Sequence, residues 1–533
     1  MPGVGHDYIH GLSETVNPAN GSLSVRINLP VPKGRGLTLP FALTYDSGEV
    51  HHFASGMAGA AGFDPATSES TVYATNLSQQ GFSWATSLPY ATASYLTVPE
   101  PLEPEYGPYG SPACGISNSY NFYDSTGGPH MLGLAAISQY NQNGLAVSIP
   151  AGCTDAPITP SYPSEGPDWA YSQSGGDDEI YAQMDAACDG DRSGEVYPED
   201  CNYAAPAFNV FDTEGNTYSF PANGFVTATY NGNSSSIAMM YPAQIEDRNG
   251  NIIQFSSTST GCGLPIIDTA GRTLVSATYS SGRVATYTVG GLTYTIGYST
   301  AKASYTVGVE QIESPPSGVS CTVHNTISSS FPVISSITLP NGQAYSFAYD
   351  DAYGLVSKIT YPDGGWVSYT WGLSPGYSEY GGFFGNQGSG LPVNAACSYM
   401  YQTPVVLTRQ VGYTSSATPA QTQQFTYATN WTGGLNQFYW ATKTTTIATT
   451  DNVISQTSNQ TYDYTPIFLP VQPDTSGQMG TEVPVESSIS YTDWESTTAI
   501  ATVTKTWADQ PFNNCATLTK LLAQNIGQAT ETN

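Results

Sequence analysis

Basic residues are scarce in this chain of 533 residues: 13 Lys and Arg stand against 42 Asp and Glu, and none falls between Arg35 and Arg192. The formal charge of −29 therefore reflects missing bases more than surplus acids. Such a surface repels polyanions, which argues against nucleic-acid binding and against attraction to an anionic membrane. Charge of either sign is also sparse, at 10% of residues, so long helices laced with ion pairs are excluded. No apolar run approaches the ~20 residues that a membrane-spanning helix needs. The first residues, MPGVGHDYIHGLSE, lack the basic and apolar regions of a signal peptide. Cysteine pairs in C-x-x-C spacing are missing, which removes a zinc ribbon. So are G-x-S-x-G, H-E-x-x-H and a phosphate-cradling glycine loop. The acids leave a glycosidase-type carboxylate pair open in principle, but nothing in the sequence singles out two of them.

What is present is glycine, small polar residues and aromatics, the last at 12%. That balance favours strands. The clearest pattern lies in ITLPNGQAYSFAYDDAYGLVSKITYPDGGWVSYTW, from Ile337 to Trp371, where one short unit occurs twice. Each copy has a turn closing on glycine, Gly342 or Gly364, followed by alternating side chains. Tyr345 and Phe347, and likewise Val367 and Tyr369, are two apart and so share one face of a strand. The same frame surrounds Gly215, Gly250 and Gly271, with Tyr218 and Phe220, Ile253 and Phe255, and Leu274 and Ser276 at the matching offsets. Gly250 and Gly271 are 21 residues apart, and Gly342 and Gly364 are 22 apart. That period accommodates two short strands and their turns, one hairpin per repeat.

The units YPDGGWVSYTW, DRNGNIIQF and DTAGRTL resemble the tyrosine-aspartate (YD) repeats of the rearrangement-hot-spot (RHS) family. Val16 to Ser47, Gly81-Phe-Ser-Trp84 and Tyr120 to Leu132 resemble further segments of that family. The resemblance implies a mainly β fold, an extended antiparallel sheet of hairpin repeats spiralling into a shell or solenoid-like body, with function often carried by a separate C-terminal cargo. Toxin-bearing members self-cleave near an Asp-Pro-x-Gly motif. Here the one Asp-Pro, Asp64-Pro65, precedes alanine, so cargo and self-cleavage do not transfer, and the chain resembles the N-terminal portion of a longer family protein.

Read in order, residues 1–92 form an N-terminal module. Residues 93–205 are a loop-rich, acidic, Pro/Gly-rich insertion, and 206–371 hold the hairpin repeats. Residues 372–402 form a Gly/aromatic loop, 403–515 carry further strands, and 516–533 are a short C-terminal segment whose Leu518, Leu521, Leu522 and Ile526 have helical spacing. His6, His10, His51 and His52 cluster in the first module without a metal-binding spacing.

Within the insertion, Cys188-DGDRSGEVYPED-Cys201 has the shape of a calcium loop. Asp189, Asp191 and Ser193 fall at positions 1, 3 and 5, Gly194 at 6, the Glu195 carbonyl beside it, and Asp200 at 12. Asp200 stands where a bidentate glutamate is usual, and Pro198 opposes a following helix. A Cys188–Cys201 bridge would restrict the unfolded chain by about 3 kcal/mol, and Asp178 to Ala187 would supply a short preceding helix. Eight cysteines, few lysines and pI ≈ 4.1 suggest an oxidising, extracellular or cell-surface setting, one that tolerates acid, the alternative being buried free thiols in a cytosolic shell. Tyr377, Tyr380, Phe383 and Phe384 are candidates for stacking on glycans, the alternative being packing between sheet layers.

The function expected from these features is a non-enzymatic structural scaffold that encloses or presents other material. The alternative is a fibre subunit or adhesin that binds copies of itself or glycans. Calcium is the one cofactor suggested.

Overall fold

Leu23–Leu29 shows in miniature how this chain folds: Leu23, Val25, Ile27 and Leu29 are buried while Ser24, Arg26 and Asn28 are not, the period-two pattern of a strand with one dry face. Repeated along the chain, that pattern gives an almost entirely β structure in the computed structural model. The structure describes residues 9–10, 13–34, 36–53, 71–74, 83–99, 113–132, 134–140, 170–172, 174–176, 179–184, 207–221, 226–230, 233–256, 264–306, 309–311, 326–374, 377–379, 399–416, 418–432, 439–469, 481–494, 498–510 and 524–532. Among these the one helical element is the 3-10 turn Ser47–Glu49.

The main body is an antiparallel sheet of 21 strands, running from Ser174–Gly176 to Gln524–Thr532 with its members in chain order. Three glycine-turn hairpins can be followed through their register: Phe208–Asp212 with Thr217–Phe220, Gln244–Glu246 with Ile252–Phe255, and Ile266–Asp268 with Thr273–Ser280. The Ile337 to Trp371 stretch adds two more, and Trp366–Leu373 then pairs with Pro404–Gly412. Most of its neighbours are joined by hairpins, but between Phe220 and Gln244, Thr306 and Thr326, and Leu373 and Pro404 the chain contributes strands to other sheets before the next strand pairs.

Two smaller sheets cover this body. The first is five-stranded, with Leu23–Leu29 and Phe41–Asp46 at its centre and Glu14–Val16 and Trp84–Thr86 beside them. Its dry face joins Ile245, Val275, Tyr287, Ile334, Val356, Val367 and Ile447 of the long sheet in one continuous core. The second is seven-stranded and includes Tyr90–Pro99, Ala113–Tyr123 and Asn233–Met240. It buries Ala91, Tyr120 and Phe122 against Ile180, Phe208 and Phe220 at the start of the long sheet. The Phe208 and Phe220 rings stack at 4.6 Å.

Three expectations need correction. The stretch expected as a loop-rich insertion contributes Ala113–Tyr123, Pro129–Met131, Ala135–Tyr140 and Ala170–Ser172 to the seven-stranded sheet. Where Asp178 to Ala187 suggested a helix, Ile180–Met184 is a strand: Ile180, Ala182 and Met184 alternate into the core and pair with Phe208–Asp212. At the C-terminal segment, Ile526 lies in the strand Gln524–Thr532, paired with Ala501–Gln510, rather than in a helix, while Leu518, Leu521 and Leu522 lie outside the described residues. In both cases ladder hydrogen bonds with a neighbouring strand outweigh a weak local preference.

Candidate functional site: the seam between the N-terminal sheet and the long sheet

The turns that organise the long sheet share one geometry. Gly215, Gly250, Gly271, Gly342 and Gly364 have φ of +85°, +78°, +75°, +84° and +89°, the left-handed region that glycine enters without a Cβ penalty. Each glycine N–H donates to the carbonyl three residues back, as from Gly250 to Asp247 at 2.9 Å and from Gly364 to Tyr361 at 3.0 Å. The residue that opens each turn closes it with a second bond, as from the Asp247 N–H to Asn251 O at 3.0 Å. This is a type I turn followed by a glycine bulge. In three of the five, the opening aspartate also caps the turn: Asp247 Oδ1 accepts from the N–H groups of Asn249 and Asn251 at 2.8 and 2.9 Å. The Asn251 side chain and backbone bonds hold the Asp247 carboxyl below its ordinary pKa. At Asp268 desolvation pushes upward, but hydrogen bonds and charge from Arg272 outweigh it and the pKa is again lowered.

The residues following these turns line the covered face. Phe220, Ile253, Phe255, Phe347, Val367 and Tyr369 are buried, and Tyr218 and Tyr345 pack partly buried against the cores. Leu274 and Val275 are both buried, because the ladder shifts register between Ile266 and Ile267.

Against this face the N-terminal sheet is fastened at two ends. At the dry end Trp84 is completely buried, with its ring 4.7 Å edge-on from Phe347 and 5.4 Å from Tyr45. Trp84 Nε1 donates to the Tyr349 hydroxyl at 2.9 Å, and that hydroxyl donates to Ile334 O at 2.5 Å. The Val356 N–H donates to the Tyr45 hydroxyl at 3.2 Å. Burial raises the pKa of Tyr45 and, well above the usual range, of Tyr349, so both remain neutral hydroxyls.

At the polar end Glu14 and Arg409 are both buried and form an ion pair across 395 positions of sequence. Arg409 Nε donates to Glu14 Oε1 at 3.0 Å and Nη1 to Gln423 Oε1 at 2.9 Å, while Gln423 Nε2 donates to the Thr449 hydroxyl at 3.2 Å. The Tyr361 hydroxyl donates to Glu14 Oε2 at 3.2 Å and receives a bond from Ser13 Oγ at 3.3 Å. Burial first, and the Glu14 charge second, raise the Tyr361 pKa and keep that donor protonated. Beside this network the turn Asn17 to Gly21 docks directly. Gly21 O accepts from the Val406 N–H at 3.0 Å, and Pro18 O from the Thr445 hydroxyl at 2.7 Å. Gly21 has φ +70°, and a Cβ there would stand 2.5 Å from Val405 Cβ, so only glycine permits this approach. A cavity of about 50 Å³ adjoins the dock, lined in part by Asn20, Thr403, Tyr427 and Lys443. Chemically, this seam holds two sheets in one register.

The other candidate positions are placed as follows. Asp189, Asp191, Ser193, Glu195, Asp200, Cys188 and Cys201 lie outside the described residues, as do Tyr380, Phe383 and Phe384. Tyr377 begins the strand Tyr377–Glu379, which pairs with Tyr399–Tyr401. His51 and His52 lie on Val50–Phe53, opposite Tyr73 and Val72. Among the described residues no three His, Cys, Asp or Glu side chains converge as a metal site would. Sequence reading missed Glu14, Arg409 and Gln423. One signal was available: in a chain this poor in bases, Arg409 occurs in PVVLTRQVG in phase with the apolar Val411.

These features define a scaffold of glycine-punctuated β-hairpins carrying a second sheet on one face. Residues 334–365 match the family model of the RHS repeat, the same stretch that holds the Gly342 and Gly364 turns. No curated protein matches its sequence. Among solved structures, the chain is similar to TcdB2-TccC3 without its hypervariable C-terminal region, at 8% identity and a TM-score of 0.21, covering 99% of this chain and 22% of that one. It is also similar to the N-terminal domain of the effector protein SpvB from Salmonella typhimurium strain LT2, at 11% identity and a TM-score of 0.12, covering 95% and 98%. The chain thus spans about a fifth of the length of the first of these structures.

Proposed function

We propose that this chain is a non-enzymatic structural wall of an RHS-type protein, secreted or displayed at the cell surface, whose sheet encloses or presents other material. The observation that carries the reading is the 21-stranded meander with a second sheet fastened on one face. A strand order that follows the chain can extend or curl without rearranging its neighbours, and the seam stiffens it where Glu14 meets Arg409 and Trp84 meets Phe347. Electron microscopy of the purified chain tests this: discrete hollow or cupped particles support a wall.

The second reading, a fibre subunit or adhesin, draws on Ser174–Gly176 and Gln524–Thr532, which stand at the two ends of the strand order. End strands are templates for pairing with another chain, and regular polymers in the same micrographs would favour this reading. The calcium loop, with Asp189, Asp191, Ser193, Glu195 and Asp200 between bridged Cys188 and Cys201, and glycan stacking by the aromatic loop belong to this proposal too. Calorimetric titration with calcium that gives neither heat nor a shift in melting would remove the calcium component.

A further inference from the structure

The long sheet has a rim along which successive hairpin turns align, and the chemistry of that rim changes along the chain. Gln343 Nε2 donates to Pro362 O at 3.3 Å, which ties the Gly342 turn to the Gly364 turn. Trp366 Nε1 donates to Ser416 O at 2.8 Å, and the Asn452 N–H to Ala420 O at 2.9 Å, carrying the row on through the next turns. Up to Gly364 the turn tips before glycine are Thr213 and Glu214, Arg248 and Asn249, Thr269 and Ala270, Pro340 and Asn341, and Pro362 and Asp363, with Leu292, 50% exposed, the one large exposed hydrophobic beside a described turn of this rim. The next three turns on this rim expose more. Tyr413, just past Pro404–Gly412, is 66% exposed, residues 452–455 expose Val453 at 79% and Ile454 at 58%, and Trp494 and Ile500, on either side of residues 495–497 that lie outside the described residues, are exposed at 56% each.

These five side chains make up more than half of the nine large exposed hydrophobics among the described residues. The three turns join Pro404–Gly412 to Gln421–Thr432, Tyr439–Asp451 to Gln456–Leu469, and Thr481–Thr492 to Ala501–Gln510. At ~4.8 Å per strand, six consecutive strands place them within about 24 Å. Turn formation does not ask for apolar tips, since the polar turns close the same sheet, and Val and Ile are poor turn residues. Asp451 Oδ1 supplies the local closure by accepting from the Val453 N–H at 2.8 Å, which leaves both apolar side chains outside.

The charges around this patch have one sign. Asp363, Asp451 and Asp493 border it, and the sequence holds no Lys or Arg between Arg409 and Lys443 or between Lys443 and Lys505. Arg409 is buried with Glu14, Lys505 is bonded to Glu486, and Lys358 on the adjoining strand Val356–Thr360 sits over the Trp366 ring at 4.9 Å. A second copy of this chain would bring carboxylates against carboxylates at a net charge of −29. We propose that this rim docks a cationic protein segment with an apolar face, one in which Lys or Arg alternates with aliphatic or aromatic residues. Apolar side chains would cover Val453, Ile454 and Trp494 while the flanking cations meet Asp363 and Asp493.

The probe is a labelled 14-residue peptide of alternating Leu and Lys, titrated onto the full chain beside a Leu/Glu peptide and a Ser/Lys peptide. The Leu/Lys peptide should bind at least tenfold more tightly than either control. Val453→Ser/Ile454→Ser/Trp494→Ser should weaken it at least tenfold, and added salt should weaken it further. A second variant, Tyr413→Ser/Ile500→Ser, gives the same reading if the first folds poorly. The proposal is overturned if the variants bind Leu/Lys as the parent does, or if Ser/Lys binds as tightly, which would mean attraction by net charge alone. It is equally overturned if Leu/Glu binds as tightly, or if sedimentation shows self-association of the parent that the variants abolish.

Discussion

The two ends of the seam achieve the same attachment by opposite chemistry. At the dry end, Trp84, Tyr45 and Phe347 exclude water, and their few polar atoms are satisfied locally by Tyr349, Ile334 and Val356. At the polar end Glu14, Arg409, Gln423 and Tyr361 form a network in which each group depends on the next. Packed apolar surface contributes cohesion but tolerates sliding. A buried charge network tolerates almost none, because displacing one member strands another away from water. The dry end thus supplies most of the adhesion and the polar end fixes the register. A buried ion pair is weak evidence for stability in itself, and its role here is the registry that charge pairing can enforce.

Substitutions can break this contrast in graded steps. Trp84→Ala removes a fully buried indole and its hydrogen bond to Tyr349, and should lower unfolding free energy by about 5 kcal/mol in denaturant titration. Arg409→Ala leaves Glu14 buried without its cation and should cost about 3–4 kcal/mol. The double variant Glu14→Leu/Arg409→Met should recover most of that loss, which separates a stranded charge from lost packing. At the turns, Gly364→Ala meets no neighbour within 4 Å and pays only for its positive φ, about 1–2 kcal/mol. Gly21→Ala has positive φ and a clash with Val405 besides, and should cost visibly more in the same assay.

The smallest effect is expected from pH. The folded pKa values of Asp247 and Asp268 lie below their unfolded values, so their contribution is present above about pH 4 and is lost as pH falls through the lowered folded pKa. Asp247→Asn/Asp268→Asn should lower stability modestly at neutral pH, where that contribution is present, and approach the parent as pH falls below about 4, flattening the acid side of the profile.

Much of the fold was legible because its rule is local. Gly-ended turns and apolar pairs three and five residues later are decided within ten residues, and the chain carries five such turns, four of them with an apolar pair. The strands of the 93–205 stretch were hidden because Ser, Asn, Ala and Gly alternate with too little contrast. ACGISNSYNFY, for example, is defined by its partners Tyr90–Pro99 and Ala135–Tyr140 rather than by its own pattern. The polar end of the seam was hidden for a different reason. Glu14 and Tyr361 are 347 positions apart, and no local spacing encodes a pair of that kind. The apolar rim is an intermediate case: Asn452-Val-Ile-Ser455 does not read as a turn, yet Ser455 takes the left-handed conformation, φ +57°, within that turn.

The most direct test of the seam is hydrogen exchange by mass spectrometry across a denaturant series, following Leu23–Leu29 together with Val356–Thr360 and Trp366–Leu373. A seam that unites the two sheets predicts that all three strands lose protection at one denaturant concentration, and that Arg409→Ala moves them together. Exchange of Leu23–Leu29 while the two long-sheet strands stay protected would contradict it.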